Sequence, residues 1–76
     1  MNLEEIIISI VTKELRLKDG IVTLDSRFVD DLGTDSLDVV EIIVAIEDTI
    51  NKHLPDKIYD NIHTVQDLVD EVKKLA

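Results

Sequence analysis

Residues 30–41 read DDLGTDSLDVVE, five acids in twelve positions around one glycine and one serine. Glycine suits a turn, and Asp or Ser suits the residue that starts a helix. The stretch therefore predicts a turn at Gly33 and a helix beginning at Asp35 or Ser36. Asp35, followed three residues later by Asp38, has the spacing of a capping box with Asp in place of the usual Glu. Either acid favours the positive helix end by about 0.3–1 kcal/mol when exposed. The helix then runs to about Asn51, and Pro55 stops anything before it.

Around this segment the chain is short and poor in turn residues. It has 76 residues, two glycines and one proline, which predicts one small all-α domain over 1–76. Phe28 and Tyr59 are its only aromatics, so the core must be built from Ile, Val and Leu. Leu3, Ile6, Ile7, Ile10 and Val11 recur at helical spacing and place a first helix over residues 3–17. The β-branched run IIISIV also fits a strand, but the stripe continues to Glu14 and Leu15, and Glu14–Lys18 is spaced as an i,i+4 pair. Residues 18–35 form a long connection whose Ile21, Val22, Leu24, Phe28, Val29 and Leu32 should pack on the core. Residues 56–61 suit a short helical turn. Thr64, with Asp67 three residues on, caps a last helix striped by Val65, Leu68, Val69, Val72 and Leu75. The expected architecture is a small four-helix bundle: three main helices, one short helix and a long loop after the first.

Charge divides the chain unevenly. Net charge is −9, and seven acids with no base lie between Arg27 and Lys52: Asp30, Asp31, Asp35, Asp38, Glu41, Glu47 and Asp48. The rest of the chain carries ten acids against eight bases. Such a field repels nucleic acid and anionic membranes and attracts basic protein surfaces. The apolar run near the start is too short to span a membrane and lacks the basic segment of a signal peptide. With no cysteine, disulfides, thiolate metal sites and a cysteine nucleophile are excluded.

A helical projection, at about 100° per residue, splits the second helix into two faces. Val39, Ile42, Ile43, Ile46 and Ile50 share one sector and form its core face. Leu37, Val40 and Val44 fall elsewhere, beside Glu41 and Asp48. They belong either to a helix covered on several sides or to a docking face of short apolar side chains rimmed by carboxylates. The acids on the same segment favour docking.

Three chemistries could use DDLGTDSLDVVE. A calcium loop starting at Asp30 would put Glu41 at position twelve. But Leu32, Thr34 and Asp35 fall at positions three, five and six, where ligands and glycine belong, so no designed metal cage is expected. A nucleophilic Ser36 would need a base and an orienting group. Thr34 and Asp38 do not form a G-x-S-x-G elbow, His53 is remote, and His63 can approach only through tertiary structure. Attachment fits better. A serine at a helix start after a loop is accessible, and the free N–H groups and dipole of the helix end favour an added phosphate.

FVDDLG, then DSLDVVEIIVAIED, then LPDKIYDNIHTVQDLVDEV resemble the acyl carrier proteins in order and spacing, over essentially the whole chain. The resemblance implies that Ser36 carries 4′-phosphopantetheine, transferred from coenzyme A by a magnesium-dependent phosphopantetheinyl transferase. The arm ends in a thiol, which lets a chain without cysteine hold a thioester. It further implies that Asp35, Leu37, Asp38, Val40, Glu41, Val44, Glu47 and Asp48 form a recognition surface for acyl-transferring or chain-elongating enzymes with basic patches. A cytoplasmic monomer that is not itself an enzyme is expected, serving fatty-acid or related polyketide or lipid synthesis. A peptidyl carrier of nonribosomal synthesis and an unmodified acidic adaptor are the alternatives.

The family's bundle shelters the acyl chain. Burying methylenes gains about 0.8 kcal/mol each, or on the order of 5 kcal/mol for an eight-carbon chain before ordering costs. Phe28, Val29, Leu32, Val39, Val40, Ile46, Leu54, Tyr59, Ile62 and Leu68 are the candidate lining residues. Tyr59 and Leu68 stand where the family often has small residues, and if both point inwards the pocket is shallower. Val44 replaces a common methionine on the docking face. Thr34 replaces a common alanine, with little effect expected.

Overall fold

The computed structural model describes residues 2–75, so the two terminal residues of the expected 1–76 domain lie outside it. The elements in order are α1 (Leu3–Glu14), α2 (Ser36–Ile50), a 3-10 helix (Asp56–Asp60) and α3 (Val65–Lys73). The bundle thus has three α-helices, and its fourth member is one short 3-10 segment, not a full α-helix. α1 packs against both α2 and α3.

α1 begins at Asn2, whose side-chain oxygen accepts the Glu5 N–H at 2.8 Å. Ile7 and Val11 are fully buried, and Leu3, Ile8 and Ile10 pack partly against the same core. That continuous stripe is why the β-branched run is helical here: burial outweighs its modest strand preference. The helix stops at Glu14, earlier than residue 17. Leu17 N–H bonds Thr12 C=O at 3.0 Å and Arg16 N–H bonds Lys13 C=O at 3.1 Å, the Schellman pattern. Arg16 occupies the left-handed position at φ 56°, a role usually given to glycine. Lys18 therefore lies past the helix end, and Glu14–Lys18 is not a one-turn pair within it.

α2 buries Ile42, Ile43 and Ile46, with Val39 and Ile50 half-buried. It ends where Asn51 turns left-handed at φ 57°, a conformation asparagine tolerates better than most residues. Pro55 then sets up the 3-10 helix, which Ile58 anchors in the core.

The long loop is fastened at its far end. Phe28 N–H bonds His63 C=O at 3.0 Å, Val65 N–H bonds Ser26 C=O at 3.0 Å, and Gln66 N–H bonds Leu24 C=O at 2.9 Å. Two of the donors that the start of α3 cannot satisfy internally are thus satisfied by the loop. Arg27 and Thr64 form an isolated antiparallel bridge there. Val22 and Phe28 are buried beneath the loop, and Leu24 and Leu32 pack partly. Ile21 and Val29, also expected to pack, stand out at 51% and 70% exposure. They sit at turns, where backbone direction and not hydrophobicity sets where a side chain points. Leu75 lies beyond the last turn of α3 and only half-buried.

Candidate functional site

The turn before α2 is built from backbone bonds and one arginine. Asp31, Leu32, Gly33 and Thr34 donate to the carbonyls of Arg27, Arg27, Val29 and Phe28 at 2.9–3.1 Å. Asp31 closes the turn from the other side: its carboxylate accepts the Arg27 backbone N–H at 2.8 Å and two guanidinium N–H groups at 3.2 Å. Arg27 also pairs with Asp30 at 3.5 Å. These contacts hold the Asp31 carboxyl below its usual range, chiefly through the guanidinium hydrogen bond. Gly33 takes φ 64°, which is the physical reason for glycine in D-D-L-G. So Asp30 and Asp31, two of the seven acids, spend their charge on Arg27.

Asp35 caps α2. Its side chain accepts the Asp38 N–H at 2.9 Å, and Asp38 accepts the Asp35 N–H at 3.1 Å. This is the reciprocal box anticipated from the spacing. Ser36 is the first helical residue and is exposed. The N–H groups of Ser36 and Leu37 donate to no other protein group among the described residues.

Ser36 lies on the edge of a cleft of about 660 Å³, lined by Phe28, Val29, Thr34, Val39, Val40, Tyr59 and Ile62, with Arg27, Asp30, Asp35 and His63 at its polar margins. Of the candidate lining residues, Phe28, Val29, Val39, Val40, Tyr59 and Ile62 meet here. Ile46, Leu54 and Leu68 are instead buried in the core, and Leu32, half-buried, packs against that core outside the cleft. A helical stripe tells which side is inward but not which inward residues face a cavity. Tyr59 and Leu68 do not both point into the cleft, so only Tyr59 narrows it. Burial, followed by the charges of Glu47 and Asp56, pushes the Tyr59 phenol above its usual pKa. It stays a neutral hydrogen-bond donor at physiological pH.

Thr34 and His63 line the cleft as well. Loop packing brings His63 there, which no local pattern signals. Thr34 had a local clue in its position two residues before the serine. Its hydroxyl is buried and has no hydrogen-bond partner among the described residues, an arrangement that costs about 1–3 kcal/mol if left unmet.

On the outer face of α2, Leu37, Val40 and Val44 are 62%, 39% and 47% exposed. Leu37 and Val44 face outward, while Val40 also lines the cleft. Glu41 and Asp48 are exposed beside them, at the i+4 and i+11 positions from Leu37. Glu47 differs. Its side chain is only 19% exposed, pairs with His53 at 2.8 Å and accepts the Leu54 N–H at 2.7 Å. It fastens the chain after α2 and points less charge outward than its neighbours.

The match to known proteins agrees with this geometry. Residues 5–72 fit the family model described as a phosphopantetheine attachment site. The chain belongs to the acyl carrier protein family. A solved structure described as that of a candidate acyl carrier protein from Mycobacterium tuberculosis is 32% identical, covers 99% of this chain and all of its own, and superposes with a TM-score of 0.89.

The carrier family holds 4′-phosphopantetheine covalently. The residues present suit that group: an accessible hydroxyl, two free N–H donors beside it for a phosphate, and an adjoining cleft. Among the described residues, no three His, Asp or Glu side chains converge as a metal site, and no helix is long and apolar enough to cross a membrane.

Proposed function

We propose that Ser36 is the attachment residue, and that this carrier holds acyl groups as thioesters and delivers them to enzymes of fatty-acid or related polyketide or lipid synthesis. The observation that carries this is an exposed serine at the first position of α2, on the edge of a largely apolar cleft. When bound, the arm supplies the thiol that forms the thioester. The protein supplies placement: a fixed hydroxyl, N–H donors for the phosphate, and shelter for the chain against Phe28, Val29, Val39, Tyr59 and Ile62. It performs no chemistry of its own and works as a cytoplasmic monomer.

Delivery needs recognition by a phosphopantetheinyl transferase and by acyl-transferring enzymes. Asp35, Leu37, Asp38, Val40, Glu41, Val44 and Asp48 are the docking surface in this reading. Glu47 supports it indirectly by fixing the end of α2. Carboxylates around a shallow apolar ridge attract basic partners and speed encounter in a salt-dependent way.

The test uses the acyl-loaded carrier and an acyl-transferring enzyme with a basic docking patch. Replacing Glu41→Lys and Asp48→Lys together should lower kcat/KM by roughly tenfold at low salt, with a smaller loss at high salt. The melting point should not fall, since both side chains are exposed and lie among like charges. Unchanged transfer at low salt would rule this docking face out.

A further inference from the structure

The chain has two aromatic residues, and they are used differently. Phe28 is 2% exposed and belongs to the core, whereas Tyr59 is 40% exposed. Tyr59 sits on the 3-10 helix, and its neighbours Ile58 and Ile62, at 2% and 8% exposure, fasten that stretch to the core without it. The Tyr59 side chain walls the cleft instead. Of the α2 residues, Ser36, Val39 and Val40 line the cleft. Ile43 and Ile46, the next inward residues, are closed into the core. The cleft therefore follows α2 for little more than its first turn. Tyr59 stands at the end away from Ser36: its phenol is acted on by the charges of Glu47, about three turns further along α2, and of Asp56.

We propose that Tyr59 is the end wall of the acyl cleft and sets the length of chain that this carrier shelters, favouring medium-length over long acyl groups. This rests on Ser36 being the attachment residue. Methylenes on the Ser36 side of the ring leave water for an apolar wall, and those past it emerge into solvent and gain nothing. Each sheltered methylene raises the ratio of chain inside to chain outside about fourfold, so the gain climbs with length and then stops. An aromatic side chain covers about 150 Å² or more, the apolar area of four or five methylenes. Removing the ring moves the stop outward. Removing only its hydroxyl does not, because the wall is made by bulk.

The test loads wild type, Tyr59→Ala and Tyr59→Phe with acyl groups from butanoyl to hexadecanoyl, and intact mass confirms loading first. A wild type that takes no load at Ser36 would overturn the attachment and this proposal together; every other outcome is read on loaded protein. The readout is the rise in melting point of each loaded form over the same variant unloaded, so any lower melting point of Tyr59→Ala itself drops out. Methyl NMR shifts of Val39 and Ile62, on the cleft wall, report that the chain is inside. In wild type the rise should grow with chain length and level off before hexadecanoyl. Tyr59→Ala should level off about four carbons later, and Tyr59→Phe at the same length as wild type. Levelling at one length in both wild type and Tyr59→Ala would overturn the proposal, as would a shift in Tyr59→Phe equal to that in Tyr59→Ala. So would a wild-type rise that still grows at hexadecanoyl, or Val39 and Ile62 methyls that no chain moves.

Discussion

α2 and α3 start with the same device in different surroundings. At α3, Thr64 and Asp67 cap each other at 3.1 Å, and the loop adds carbonyls from Ser26 and Leu24 for the next two donors. At α2, Asp35 and Asp38 cap each other, but Ser36 and Leu37 keep N–H groups without a protein acceptor. Each start also has a serine nearby. Ser26 is buried, and its Oγ accepts the Thr23 N–H at 2.9 Å, whereas Ser36 is exposed. The contrast separates a helix start tied into the fold from one whose serine and N–H donors are left free.

The widest gap between the two should come from the latch. Phe28 is 2% exposed, and its N–H holds the loop to His63. Phe28→Ala should cost about 3–5 kcal/mol, read as a drop in the denaturation midpoint, and should release the start of α3. A loss under 1 kcal/mol would mean that the loop does not hold α3.

The caps themselves come next. Thr64→Ala should cost about 1–2 kcal/mol and Asp35→Ala about 0.5–1 kcal/mol, because only the first leaves donors in a half-buried site unsatisfied. Equal costs in urea denaturation would erase the distinction between the two starts.

Acid should also affect them differently. Hydrogen bonds from the His63 and Thr64 backbone N–H groups hold the Asp67 carboxyl below its usual pKa, the His63 bond foremost. Its folded pKa therefore lies below the unfolded value of about 3.9. The stability it adds is present above that value and is lost as pH falls through the folded pKa. Asp67→Asn should flatten the acid limb of a stability–pH curve below about pH 4, and an unaltered limb would contradict the capping role.

The smallest effect expected is from salt. Exposed Asp35, Glu41 and Asp48 repel one another over α2, while Asp30 and Asp31 are already paired with Arg27. Raising ionic strength should lift the melting point by an amount worth about 1 kcal/mol or less. A fall with salt would show that these acids are net stabilising.

Much of this was legible in the chain because capping is local. Asp35–Asp38 and Thr64–Asp67 place both helix starts, and Pro55 bounds the segment between them. The end of α1 was not legible, since Arg16 takes the left-handed turn that glycine would have advertised. The cleft was half legible. Val39 and Ile62 could be read as inward, but nothing local separates them from Ile46, Leu54 and Leu68, which fill the core. His63 reaches the cleft only because the loop bonds its carbonyl. Glu47 reads as one more surface acid until Leu54 and His53 are seen to hold it.

The attachment residue can be tested in one measurement. The chain has three serines: Ser9, Ser26 and Ser36. Unmodified wild type, Ser36→Ala and, as a control on an exposed serine of α1, Ser9→Ala are incubated with coenzyme A, magnesium and a broad-specificity transferase, and intact mass is recorded. Wild type and Ser9→Ala should each gain one phosphopantetheinyl group, and Ser36→Ala none. A wild type that gains nothing, or a gain that survives Ser36→Ala, would contradict the attachment of the arm at the open start of α2.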